Sequence, residues 1–89
     1  MISAATRRLY KRVWERYLEL QYIMYFQETA ELQFELTEEL RGQGRKGKIQ
    51  EEIADVMILC EQLAVRYGEA EVARWKKYKL SKLAKLVGG

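Results

Sequence analysis

The 89-residue chain has no proline, no histidine and a single cysteine. Without proline, nothing in the covalent backbone forces a break. The six glycines, at 42, 44, 47, 68, 88 and 89, leave residues 1–41, 48–67 and 69–87 uninterrupted. These runs are rich in Leu, Ala, Glu, Lys, Arg and Gln, all good helix formers, so the glycines read as punctuation between helices. Without histidine, the Glu-x-x-His pairs of helical di-iron sites and the usual His and Cys zinc sites are not available. Cys60 has no partner for an internal disulfide and no histidine to activate it. In Val56-Met57-Ile58-Leu59-Cys60 it reads as a small buried core residue, and a cytoplasmic location is expected. The N-terminus carries charges with no apolar segment behind them, unlike a signal peptide. No stretch approaches the ~20 apolar residues needed to span a bilayer.

What is present is apolar material and unevenly placed charge. Hydrophobic residues make up 48% of the chain, more than one small domain easily hides, so a homodimer or homotetramer is expected. All thirteen acids lie between Glu15 and Glu71, flanked by basic segments at both ends and around the glycine loop. The net charge of +3 is modest and no helix-turn-helix, zinc or RNA-binding signature is present, which argues against nucleic acid as a partner.

The expected architecture is all-α: one domain over 1–89 with four helices at about 4–17, 19–41, 48–67 and 69–87. The first shows Leu9, Val13, Trp14 and Tyr17 at helical spacing, with a bend placed near Leu18–Glu19. The second carries apolar residues around much of its circumference, with an acidic line of Glu28, Glu31, Glu35 and Glu38 between them. The third has Ile49, Ile53, Val56, Cys60 and Leu63 as its main stripe, and Gly68 is placed to end it in a left-handed conformation. The connector at 42–47 is short enough to make the second and third helices antiparallel neighbours.

Two elements point to chemistry. Glu28-Thr29-Ala30-Glu31 and Glu52-Ile53-Ala54-Asp55 each put two carboxylates three residues apart, adjacent on one helical face. Ala30 and Ala54, just before the second acid, would let two helices approach closely. Two such pairs facing each other can enclose a hard divalent cation in four oxygen donors, with positions left for phosphate. Four carboxylates at that range repel unless a cation sits among them. Both pairs lie in apolar sequence, so partial burial is expected.

At these residues the chain resembles the MazG-like all-α nucleoside triphosphate pyrophosphohydrolases. The family pattern is E-E-x-x-E, a gap of about 12–28 residues, then E-x-x-D. Here Gln27-Glu28-Thr29-Ala30-Glu31 is followed after twenty residues by Glu52-Ile53-Ala54-Asp55. The surrounding segments QETAEL, LRGQG, EEIADVMILCEQL and KLSKL are similar too, so the likeness spans about residues 17–86. Gln27 departs from the family's first Glu, as it does in some relatives, including deoxycytidine triphosphate pyrophosphatases; that departure bears on a further metal ion or a base role at position 27.

The resemblance implies a four-helix bundle completed by oligomerisation. It also implies Mg²⁺ (or Mn²⁺) held by Glu28, Glu31, Glu52 and Asp55, and cleavage between the α- and β-phosphates of a nucleoside triphosphate. Glu28 or Glu31 would orient or deprotonate the attacking water. Lys79 and Lys82, then Lys48 and Arg45, are the candidates for phosphate binding. Trp14, Tyr17, Gln21 and Tyr25 are the candidates for base contact. Two rival readings remain: a non-catalytic helical interaction module, and an inactive member of the family.

Overall fold

The chain's first turn is set by Ser3, whose hydroxyl accepts the backbone N–H of Thr6 at 3.1 Å. This N-cap satisfies a donor the helix cannot. The computed structural model describes residues 2–88. It consists of α1 (Ala4–Tyr17), α2 (Leu20–Leu40), α3 (Lys46–Tyr67) and α4 (Glu69–Leu86), with no strand among the described residues.

The corners have local causes. Between α1 and α2, Leu18 has φ 48° and ψ −126° and Glu19 has φ −65° and ψ −17°, the geometry of the central pair of a type II′ turn. Glycine favours that first position, so a leucine there is strained. Gly68 ends α3 with φ +117° while its N–H bonds Ala64 O at 2.9 Å, the left-handed stop expected of it. The loop between α2 and α3 is shorter than expected, because α3 begins at Lys46 and takes Gly47 into its first turn. A glycine costs little there, since the first N–H groups of a helix lack intrahelical partners in any case. α2 is one residue shorter than expected at each end and α4 one residue shorter at its C-terminus, the usual fraying.

α2 and α3 lie antiparallel. Arg45 bonds Glu35 at one end of the pair, and the hydroxyls of Tyr22 and Tyr67 meet at the other. α1 packs on α3, where the Tyr10 hydroxyl donates to Glu61 at 2.6 Å. The body of α4 packs on α3 alone among the described residues. At its start, Arg7 grips both oxygens of Glu69 at 2.8 and 3.0 Å.

The interior is more polar than the sequence pattern implies. Among the described residues Gln21, Glu35, Glu52 and Gln62 are buried, against only Tyr10 and Leu59 of the apolar ones. Several expected core positions lie outside it. Cys60 and Ile53 are exposed, because the face of α3 that meets α2 runs through Glu52, Leu59 and Gln62. On α1 the packed side chain is Tyr10, and Leu9 and Tyr17 flank it in the open. Ala30 and Ala54 also face outward, one residue and about 100° of helix away from the acids they precede, so they do not set the helix spacing.

The outcome is an open molecule. Its accessible surface is 7348 Å², where a folded monomer of this mass exposes roughly 5,500 Å². Its radius of gyration is 15.6 Å, against about 12 Å for a compact chain of this length.

Candidate metal centre

The antiparallel register decides which side chains meet. On α2, Gln21, Glu28 and Glu35 recur every seven residues on the face toward α3. On α3, Glu52, Leu59 and Gln62 return that face. The seam is therefore lined with polar groups along its length, with Leu59 near its middle.

Around Glu52 the carboxylates converge. One oxygen each of Glu28, Glu31 and Glu52 lie within 4.8 Å of one another, and the same holds for Glu51, Glu52 and Asp55. Glu52 belongs to both groups, and the charge of Asp55 is felt at Glu28. The four acids singled out from the sequence are thus neighbours in space. Glu51 is an addition: it stands four residues before Asp55, the spacing that puts both on one face of α3.

Burial makes this more than a patch of surface acid. Glu52 is 1% exposed, Glu28 and Asp55 are half-buried, and Glu31 and Glu51 are exposed. Oε2 of Glu28 and Oε2 of Glu52 are buried with no hydrogen-bond partner among the described residues. Such orphaned oxygens are costly. Burial, reinforced by the charges of Glu31 and Asp55 and by Glu52, pushes the Glu28 carboxyl from its ordinary 4.5 up to about 7. A donor set made only of carboxylate oxygens, with a buried oxygen on each of Glu28 and Glu52 lacking a partner among the described residues, fits a hard divalent cation such as Mg²⁺ or Mn²⁺.

The basic candidates separate into three situations. Lys48 lies in the centre, its Nζ 3.2 Å from Glu52 Oε1 and 3.7 Å from Glu51 Oε1. Arg45 is committed elsewhere, gripping buried Glu35 through Nη2 at 2.6 Å and Nε at 3.3 Å. A bidentate pair with a buried carboxylate holds the loop onto α2. Lys79 and Lys82 are exposed on α4, which does not touch α2. Lys82 lies over the ring of Tyr78 at 5.4 Å.

The base-contact candidates are only partly brought together. The Trp14 indole N–H donates to Gln62 O at 3.1 Å, its ring meets Tyr22 edge-on at 5.6 Å, and Arg66 lies 5.6 Å from its centroid. Trp14, Tyr22 and Arg66, with Leu18 and the acids Glu15 and Glu19, line an open groove of about 450 Å³. Tyr17 faces a different surface, beside Leu9 and Arg12. Gln21 is buried with its Oε1 unpartnered. Tyr25 is half-buried and packs edge-on against Phe26. Tyr22, Gln62 and Arg66 were not evident from sequence, although Gln62 stands seven residues past Asp55 and so repeats its face.

Compared with protein families, with curated proteins and with solved structures, the chain finds no match in any of the three.

Proposed function

We propose that this chain is a magnesium-dependent nucleoside triphosphate pyrophosphohydrolase, giving a nucleoside monophosphate and pyrophosphate and working as a homodimer or homotetramer. One observation carries the reading. Two helices bring Glu28, Glu31 and Glu52 together, Asp55 joins them through a second trio that shares Glu52, and Glu28 and Glu52 each keep a buried oxygen without a partner among the described residues. The order and spacing of E-x-x-E and E-x-x-D, as in the MazG-like pattern, support it from the sequence.

Glu28, Glu31, Glu52 and Asp55 would hold the ion, with Glu51 beside them. When bound, Mg²⁺ neutralises triphosphate charge and lowers the pKa of water. Glu31 is exposed, so water reaches it, and we assign it the task of orienting the nucleophile. Glu28 stays against α3 as a ligand. Lys48, at the same point, is positioned to meet phosphate. Lys79 and Lys82, on a helix that stays clear of α2 in its own chain, would be supplied to a centre by a neighbouring copy. The Trp14–Tyr22 groove offers aromatic edges for a base. Gln21 lies seven residues, about 10 Å of helix, from Glu28.

The test is pyrophosphate release from a panel of canonical and modified NTPs and dNTPs with Mg²⁺, for the wild type and for Asp55→Asn. Turnover in the wild type and a loss of at least about 10²-fold in the variant is the expected result. A wild type silent across the whole panel sinks the proposal. The second reading, a non-catalytic interaction module, is favoured by the large apolar side chains left exposed, Phe26 at 63% and Met57 at 60% among them. It becomes the better account if no substrate turns over and Mn²⁺ does not bind.

A further inference from the structure

The carboxylates around Glu52 are not without a counter-charge. Lys48 rises from the first turn of α3 and returns its ammonium along the helix to Glu52, four residues on, at 3.2 Å. It is the one cation paired with these acids among the described residues. Glu52 is 1% exposed, so solvent does little to offset its charge, and its second oxygen has no partner. Lys48 itself is half-exposed, and a four-carbon stem lets its ammonium move into water at small cost. A divalent ion bound by Glu52 would sit within a few ångströms of that ammonium, and two cations at that range repel strongly in a partly desolvated seam.

We propose that Lys48 is a tethered counter-cation: it occupies the carboxylate centre when no divalent ion is present, and is displaced from Glu52 when one enters. Displacement frees the ammonium at the mouth of the seam, where a phosphate group arriving with the ion takes the place of the lost carboxylate partner. The ion pair thereby offsets the charge of buried Glu52 in the metal-free protein and competes with the metal for the same oxygens. This rests on the reading of the centre as a divalent-cation site.

The test uses the full chain in three forms: wild type, Lys48→Met, and Lys46→Met as a control with the same charge change two residues away. Mn²⁺ affinity is measured by the loss of the free-ion electron paramagnetic resonance signal, and melting in EDTA gives the stability of the metal-free protein. Lys48→Met is expected to melt lower without metal yet bind Mn²⁺ roughly two- to fivefold more tightly, the scale of one partly exposed ion pair. Lys46→Met should match the wild type in both. In wild-type protein with labelled lysine, saturating Mg²⁺ should move the Lys48 ε-methylene resonance to the position of free surface lysines; this readout remains if Lys48→Met fails to fold. Mn²⁺ affinity unchanged or weakened in Lys48→Met, or a Lys48 resonance indifferent to Mg²⁺, overturns the counter-cation role and leaves the centre standing. Failure of the wild type to bind Mn²⁺ at all removes both.

Discussion

Glu28 is the residue whose protonation the fold alters most informatively. In the unfolded chain its carboxyl titrates near 4.5; in the fold, burial and the facing acids raise that to about 7. Between those values the native state keeps a proton that the unfolded chain has released. Stability of the metal-free protein should therefore fall as pH rises from about 4.5 to 7, and stay at its lower level above that. Glu28→Gln should melt higher than the wild type at pH 8 in EDTA, with a flatter profile over this window. Saturating Mg²⁺ should abolish the same drop in the wild type, because a cation stabilises the ionised form. Thermal melts at pH 5.5 and 8, with and without Mg²⁺, check both statements. Parallel pH profiles for wild type and variant would show that Glu28 does not titrate as described.

Among the elements, the corner between α1 and α2 is the most strained. Leu18 occupies a backbone region that suits glycine, and its side chain is 62% exposed, so replacing it gives up little packing. A non-glycine residue there costs about 1–3 kcal/mol, and the extra freedom of glycine in the unfolded chain takes back about 0.5–1. Leu18→Gly should thus stabilise by about 1 kcal/mol, which for a chain of this size is roughly 4–8 °C in Tm. Melts at equal protomer concentration measure it, and a lower Tm would contradict the strained geometry. The helices themselves were legible: unbroken helix-forming runs and a glycine after Tyr67 define α3 and α4 almost to the residue. Which face of each helix packs was not. Ile53 and Cys60 satisfy the apolar period of α3 as well as Leu59 does, and periodicity assigns apolar residues to a core without saying which neighbour supplies it.

For the whole molecule, exposed apolar area is the dominant fact. Phe34 on α2 and Met57 on α3 are each more than half exposed, and the surface in excess of a compact monomer is roughly twice what one partner gives to a standard protein interface. Sedimentation equilibrium at micromolar concentration should return the mass of a dimer or tetramer of the 10.6 kDa chain. Phe34→Glu combined with Met57→Glu should shift it toward monomer, because a charge in an apolar contact is desolvated without a partner. A wild-type monomer at high micromolar concentration would end the oligomer reading, and with it the supply of Lys79 and Lys82 from a neighbour.

Taken alone, the order of residues determined the helices, their approximate ends, and the two carboxylate pairs, because each depends on propensity and on spacings of three and four within a single helix. The tertiary structure decided the rest. The register of α2 against α3 is set by contacts between residues distant in sequence, and it buries Glu52, brings Glu28 and Glu31 to it and ties Arg45 to Glu35. It also turned the apolar stripes outward, since burial depends on what lies opposite a face, and no spacing within one helix records that.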